Sequence, residues 1–193
     1  MKRTITYVIF SLVILSLVIF VVVSTSAKSK ADTKVQDSKV SQQYIVSKEE
    51  LKKAEKAIGA IKDEKSLNLK MMEMAFQKVS FKGEDNFNVP GTIVLERIQV
   101  TKENIQYLKN NLSVVSGEKK QQYESILNKW YNGNFNSITD DFRNIRILLL
   151  GKENMNMSSD IMNPTKKTSI DEKTYILKFF GQNGLNLNNL EWK

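Results

Sequence analysis

The sequence predicts a mainly α protein: an N-terminal transmembrane helix, then a small bundle of five or six short amphipathic helices with at most a minor β element. Three observations lead there. One apolar run, Ile5 to Val23, extends for 19 residues. Only two prolines and eight glycines occur in 193 residues, too few for a turn-rich β-sandwich. Beyond the apolar run, hydrophobic residues recur at intervals of three and four, and most of these runs open on a capping side chain.

At the N-terminus, Lys2 and Arg3 precede 24 uncharged residues, Thr4 to Ala27. A helix rises 1.5 Å per residue, so the apolar stretch covers about 28 Å, close to the hydrocarbon thickness of a bilayer. Residues 4–27 are therefore expected to contact the lipid bilayer, with a basic head in the cytoplasm and the bulk of the chain outside. Residues 1–27 read as a signal-anchor. Cleavage near Ala27 is the open alternative, because Ser24-Thr25-Ser26-Ala27 supplies small residues there. Residues 28–46 are polar and without apolar period, a flexible stalk. Residues 47–181 then form an extracytoplasmic helical domain, followed by a tail at 182–193.

The domain's helices follow in order. Ser47-Lys48-Glu49-Glu50 is a capping box, and Leu51, Ala54, Ile58 and Ile61 form a stripe after it. A break near Asp63 to Ser66 precedes a second set, Leu67, Met71, Met74, Ala75 and Val79. Gly83 to Gly91 is a polar loop, and Thr92 to Val100 is a short strand or an extended connector. Thr101 caps a helix carrying Ile105, Leu108, Leu112 and Val115. Tyr123, Ile126, Leu127, Trp130 and Tyr131 mark the next, closed by Gly133 as a left-handed stop. Ser137 with Asp140 opens a helix through Phe142, Ile145 and Leu149. Ser169 with Glu172 opens the last, which carries Tyr175, Ile176, Phe179 and Phe180 and stops at Gly181.

Composition excludes much chemistry. The chain has no cysteine and no histidine, so thiol nucleophiles, disulfides, Ser-His-Asp triads and imidazole-bound zinc are all impossible. An enzyme here would have to use carboxylates, Lys, Tyr or a bound cofactor. The net charge is +8, and without Lys2 and Arg3 it is +6, 27 basic against 21 acidic side chains. That surplus suits a solvated surface and weak attraction to polyanions.

Each candidate site has a plainer structural reading. Asp140 and Asp141 are adjacent carboxylates, yet neighbouring helical residues point about 100° apart. Glu84-Asp85-Asn86 lacks the alternating spacing of a calcium loop. Met71, Met72 and Met74 resemble a soft docking or copper(I) surface, but sit where core residues belong. Trp130-Tyr131-Asn132-Gly133-Asn134-Phe135 is the most distinctive cluster. Trp130, Tyr131 and Phe135 are the candidate interaction patch for a peptide or sugar, against core packing as the preferred reading. Lys52-Lys53, Lys119-Lys120 and Lys166-Lys167 lack aromatic interleaving, so no nucleic-acid partner is expected. No catalytic, metal-binding or cofactor-binding residue is assigned, and no cofactor is expected.

Three blocks resemble an uncharacterised domain family of single-span or secreted proteins from Bacillus-type bacteria: Met74-Ala75-Phe76-Gln77-Lys78-Val79, Val100-Thr101-Lys102-Glu103-Asn104-Ile105 and Leu127-Asn128-Lys129-Trp130-Tyr131-Asn132-Gly133-Asn134-Phe135. Tyr175-Ile176 to Phe180 resembles its closing segment, so the resemblance covers Met74 to Phe180. The family pattern has a His before its Gln-Lys and an Asp-His-Asn after its Phe, where this chain has Phe76 and Asp141-Phe142-Arg143-Asn144. Its Gly-Gly-Thr-rich stretch is not evident after Leu150. The resemblance implies topology and domain extent, and no activity. The function expected is a membrane-anchored extracytoplasmic helical module that binds a protein partner in the bacterial envelope. The alternative is a binder of anionic envelope polymer or lipid headgroups, and the remote alternative a carboxylate-based enzyme.

Overall fold

The computed structural model describes residues 44–84 and 96–192. Among them are six α-helices: α1 Lys48–Ile58, α2 Glu64–Ala75, α3 Lys102–Asn110, α4 Gly117–Tyr131, α5 Ile138–Leu150 and α6 Ser169–Glu191. Two strands of two residues each, β1 Val79–Ser80 and β2 Thr165–Lys166, pair antiparallel with Val79 opposite Lys166. The protein is mainly helical with little β structure.

Local chemistry sets most of the helix starts. In α1 the Glu50 amide donates to Ser47 Oγ at 3.2 Å while the Ser47 amide donates to Glu50 Oε2 at 2.7 Å, the reciprocal capping box. Asp63 and Ser66 repeat that exchange at α2, which explains the break between the first two helices. Thr101 Oγ1 accepts from the Asn104 amide at 3.2 Å and starts α3. The α4 helix ends in a Schellman turn. Gly133 has φ 71°, and the Asn134 and Gly133 amides donate to the carbonyls of Lys129 and Trp130, each at 2.9 Å.

At two of the expected starts the capping is different. Ser137 makes no capping bond to the helix backbone; its hydroxyl turns to the Asp141 carboxylate instead. In α6 the cap is Thr168, which accepts from the Asp171 amide at 3.2 Å, one residue before the Ser169 expected. The strand pair also lies elsewhere than at Thr92 to Val100: residues 96–100 form no helix or strand, and 85–95 lie outside the described residues.

The core is one cluster in which α2 packs on α5, α1 on α3 and α3 on α4. Trp130, Tyr123, Phe76, Phe142, Leu67 and Met71 are fully enclosed within it. At about 1.5–3 kcal/mol for each large apolar side chain, this burial is the main force holding the helices together.

The membrane part of the expected fold is corrected. Among the described residues no helix is long and apolar enough to cross a membrane. The longest, α6, has 23 residues. It carries Asp171, Glu172, Lys173, Lys178 and Glu191, and its backbone leaves the helical region at Gly181, so bilayer insertion would bury several charges. The expected single-pass location, with the N-terminus cytoplasmic and the domain outside, is overturned by the same finding. The span expected over residues 4–27 lies outside the described residues, as does the stalk up to residue 43. Within the last stalk residues Tyr44 is tied down: its hydroxyl donates to Glu50, and its carbonyl accepts from Tyr131 Oη at 3.0 Å.

Past Gly181 (φ 65°, ψ −168°) the chain re-enters a helix and runs to Glu191, so the segment read as a tail is ordered structure. Its Gly184 sits against the connector, where Gln99 Nε2 donates to the Gly184 carbonyl at 2.6 Å.

Candidate functional site

Gln77 and Lys78 stand in the turn between α2 and β1, and both side chains point inward. Gln77 Oε1 accepts from the Val100 amide at 2.9 Å, while its Nε2 donates to Glu172 Oε1 at 2.9 Å and Asn188 Oδ1 at 3.1 Å. One amide side chain thus joins the end of α2, the connector before α3 and both halves of α6. Lys78 Nζ pairs with Glu172 Oε1 at 2.5 Å and lies 4.4 Å from the centroid of the Phe135 ring. Burial lowers the Lys78 pKa, and Glu172 opposes that shift. Phe135 meets Trp192 edge-on at 5.5 Å, and Trp192 Nε1 donates to the Val100 carbonyl at 3.0 Å, closing the ring of contacts.

A second buried ion lies next to it. Lys167 Nζ pairs with Glu84 Oε1 at 2.6 Å and donates to the carbonyls of Phe76 and Val79. Because the Lys167 amide also donates to the Lys78 carbonyl at 2.8 Å, the short β pair is locked from both sides. Of the acidic loop read from the sequence, Glu84 serves this pair, and Asp85 and Asn86 lie outside the described residues.

The aromatic patch is divided by the fold. Trp130 is 0 % exposed and Phe135 7 %, whereas Tyr131 is half-buried, its hydroxyl on the Tyr44 carbonyl and its ring 4.7 Å from Lys109 Nζ. Trp130 Nε1 donates to Asp141 Oδ2 at 3.0 Å, and Ser137 Oγ and Lys129 Nζ meet the same carboxylate. These three aromatics are packed into the core side of the domain and offer no shared exposed face.

The adjacent aspartates diverge. Asp141 is 1 % exposed and engaged as above, while Asp140 faces solvent and pairs with Arg143 at 2.7 Å. Met71, Met72 and Met74 are all buried at 0 % exposure, as core residues. Lys119 pairs with Glu64 at 2.8 Å, and Lys52 and Lys53 are exposed on α1. Among the described residues no group of three or more acidic side chains is placed to hold a metal ion.

Two surface features remain. An open polar depression of about 520 Å³ follows the outer face of α4, lined by Gln121, Glu124, Ser125, Asn128, Lys129, Asn132 and Asn134. On α6, Ile170 is 74 % and Leu177 40 % exposed. With Thr174 they occupy positions i, i+4 and i+7, one stripe opposite the buried Ile176, flanked by Lys173 and Lys178. Of the residues expected to line the apolar face of α6, Tyr175 and Ile176 are buried, Phe180 is half-buried and Phe179 is exposed. The exposed stripe was legible in the seven-residue spacing of Ile170 and Leu177, but only once the buried face was known. Gln77 and Lys78 were missed as a hub because their partners lie 23 to 111 residues away.

The blocks quoted from the sequence therefore converge: Gln77 and Lys78 from the first, Val100 from the second, Phe135 from the third, with Glu172 one turn before the closing segment. No curated protein matches the chain, and no solved structure does. A family of unknown function, DUF6241, matches residues 71–172, which spans all three blocks and more than half the chain. The chain belongs to that family of unknown function.

Proposed function

We propose that the domain is a protein-binding module without catalytic activity, and that it docks an acidic, partly apolar segment of a protein partner on the outer face of α6. The observation that carries this reading is the solvent-facing stripe Ile170–Thr174–Leu177 between Lys173 and Lys178. Apolar residues at helical spacing, rimmed by cations and rooted in a rigid core, suit a helix or extended strand bearing Asp and Glu beside its anchors. The absence of Cys and His supports a binding role over catalysis, as does the engagement of Asp141 by three donors. The bacterial source suggested by the sequence resemblance belongs to this proposal.

The test is comparative capture with the full chain. A protein recovered by the wild type, lost with Ile170→Asp/Leu177→Asp and with Lys173→Glu/Lys178→Glu, and kept by Lys119→Glu is the expected result. A partner kept by both α6 variants, or none recovered, overturns the reading. A second reading, attraction to anionic polymer, is favoured by the +8 charge. It predicts binding that falls steeply with salt and ignores Ile170 and Leu177.

A further inference from the structure

Two glycines bend α6, and only the bent form requires them. Gly181 has φ 65° and ψ −168°, a combination essentially confined to glycine. Phe180 and Gly184 are one turn apart, where the Cβ atoms of an unbroken helix stand about 5–6 Å from each other. Here a Gly184 Cβ would run into Phe180 Cβ and lie 3.0 Å from Gln99 Oε1, so the bend closes that side of the helix. In a straight helix neither position needs glycine, and alanine would favour the helix about fivefold at each. Past the bend, segment 182–192 is held by residues distant in sequence. Gln99 Nε2 donates to the Gly184 carbonyl at 2.6 Å, and Gln77 Nε2 to Asn188 Oδ1 at 3.1 Å. The Lys102 amide donates to Glu191 Oε2 at 3.0 Å, and Trp192 bonds the Val100 carbonyl and meets the Phe135 ring edge-on.

We propose that this slot is an interaction surface for a second copy of the chain: when α6 straightens at Gly181, its segment 182–192 leaves its own domain and fills the slot of a partner, which returns its own segment, giving an arm-exchanged dimer. The occupant follows from the contacts. Each of them joins the segment to residues between 77 and 135, so the segment of a second chain makes the same bonds in the same slot. The two arrangements then differ at the hinge, where straightening returns Gly181 to the helical region. A hinge of one strained residue, with no loop to relax it, is the kind that invites exchange. Straight, the 23 residues of α6 form a rod of about 35 Å that carries the segment away from its own slot. The paired glycines thus keep the chain closed on itself, and protein concentration opposes them.

The experiment mixes light and heavy-nitrogen full chains, unfolds them in urea and refolds them together at high protein concentration. A carbodiimide then couples Glu191 to Lys102, whose ammonium lies 5.7 Å from the neighbouring Trp192 ring, and mass spectrometry sorts links within one chain from heavy–light links. Gly181→Ala/Gly184→Ala is expected to give heavy–light links at least about fivefold more often than the wild type, with a dimer by light scattering. Gly181→Ala alone, whose methyl group meets no atom within 4 Å, is expected to shift the same way more weakly, which keeps the test open if the double variant does not fold. A Gly-Ser-Gly insertion after residue 181 lets the segment fold back and is expected to restore links within one chain. Ile170→Asp/Leu177→Asp is expected to leave the heavy–light links unchanged, which separates exchange from docking on the outer face of α6. Links that stay within one chain in both alanine variants overturn the proposal. So do heavy–light links that survive the insertion, or that vanish with Ile170→Asp/Leu177→Asp.

Discussion

Replacing Asp141 by alanine tests whether the central motif is architecture. Its carboxylate is 1 % exposed and receives Trp130 Nε1 at 3.0 Å, Ser137 Oγ and the Lys129 ammonium. Removing it strands the indole N–H in the core, at about 1–3 kcal/mol. The Lys129 side chain is 34 % exposed, so the broken ion pair adds less than the 3–5 kcal/mol typical of a fully buried one. The expected total is about 2–4 kcal/mol. Asp140→Ala, which loses only a solvent-exposed pair with Arg143, is expected to cost under about 0.5 kcal/mol. Urea denaturation of the two variants measures both values. A double-mutant cycle with Trp130→Phe isolates the indole bond, with a coupling of about 1–2 kcal/mol expected. A loss below about 1 kcal/mol for Asp141→Ala, or equal losses for the two aspartates, would refute the argument.

Gln77→Ala leaves the Val100 amide without its buried acceptor and frees Glu172 and Asn188 from their common donor, for an expected loss of about 2–3 kcal/mol by the same assay. Gly184→Ala is expected to destabilise the domain by about 1–3 kcal/mol, because its Cβ would run into Phe180 Cβ; thermal unfolding reads this directly. Glu191 also makes stability depend on pH. Its folded pKa is raised from 4.5 to about 8, so the folded state binds more protons between those values and stability falls as pH rises through that window. Chemical denaturation across the window is expected to show that decline in the wild type and a shallower one in Glu191→Gln.

Helix starts were legible at Ser47 and Thr101, whose side chains bond the backbone of the first turn. At α5 the expected start at Ser137 stands, but its hydroxyl bonds the Asp141 carboxylate four residues on instead of the backbone. At α6 the start lies one residue earlier, because Thr168 caps the helix and Glu172, expected in the cap, is drawn to Lys78 and Gln77. Gly181 was legible as an interruption, since its φ of 65° suits glycine. That the helix resumes depends on contacts of Gly184, Asn188 and Trp192 with residues some 80 to 110 positions earlier, beyond the reach of any local pattern. The β pair joins segments 85 residues apart and is two residues long, too short to show a period of two. For the site, the aromatic cluster was visible as a motif, but its inward orientation follows from the Asp141 bond and the cover supplied by Trp192.

The outer face of α6 is most directly tested by a photo-crosslinking amino acid placed at position 177 of the full chain, with position 125 on the exposed face of α4 as control. The account predicts one discrete protein adduct from position 177, abolished by Lys173→Glu/Lys178→Glu and weakened by salt, and none from position 125. Equal labelling from both positions, or an adduct indifferent to the lysine replacements, would contradict it.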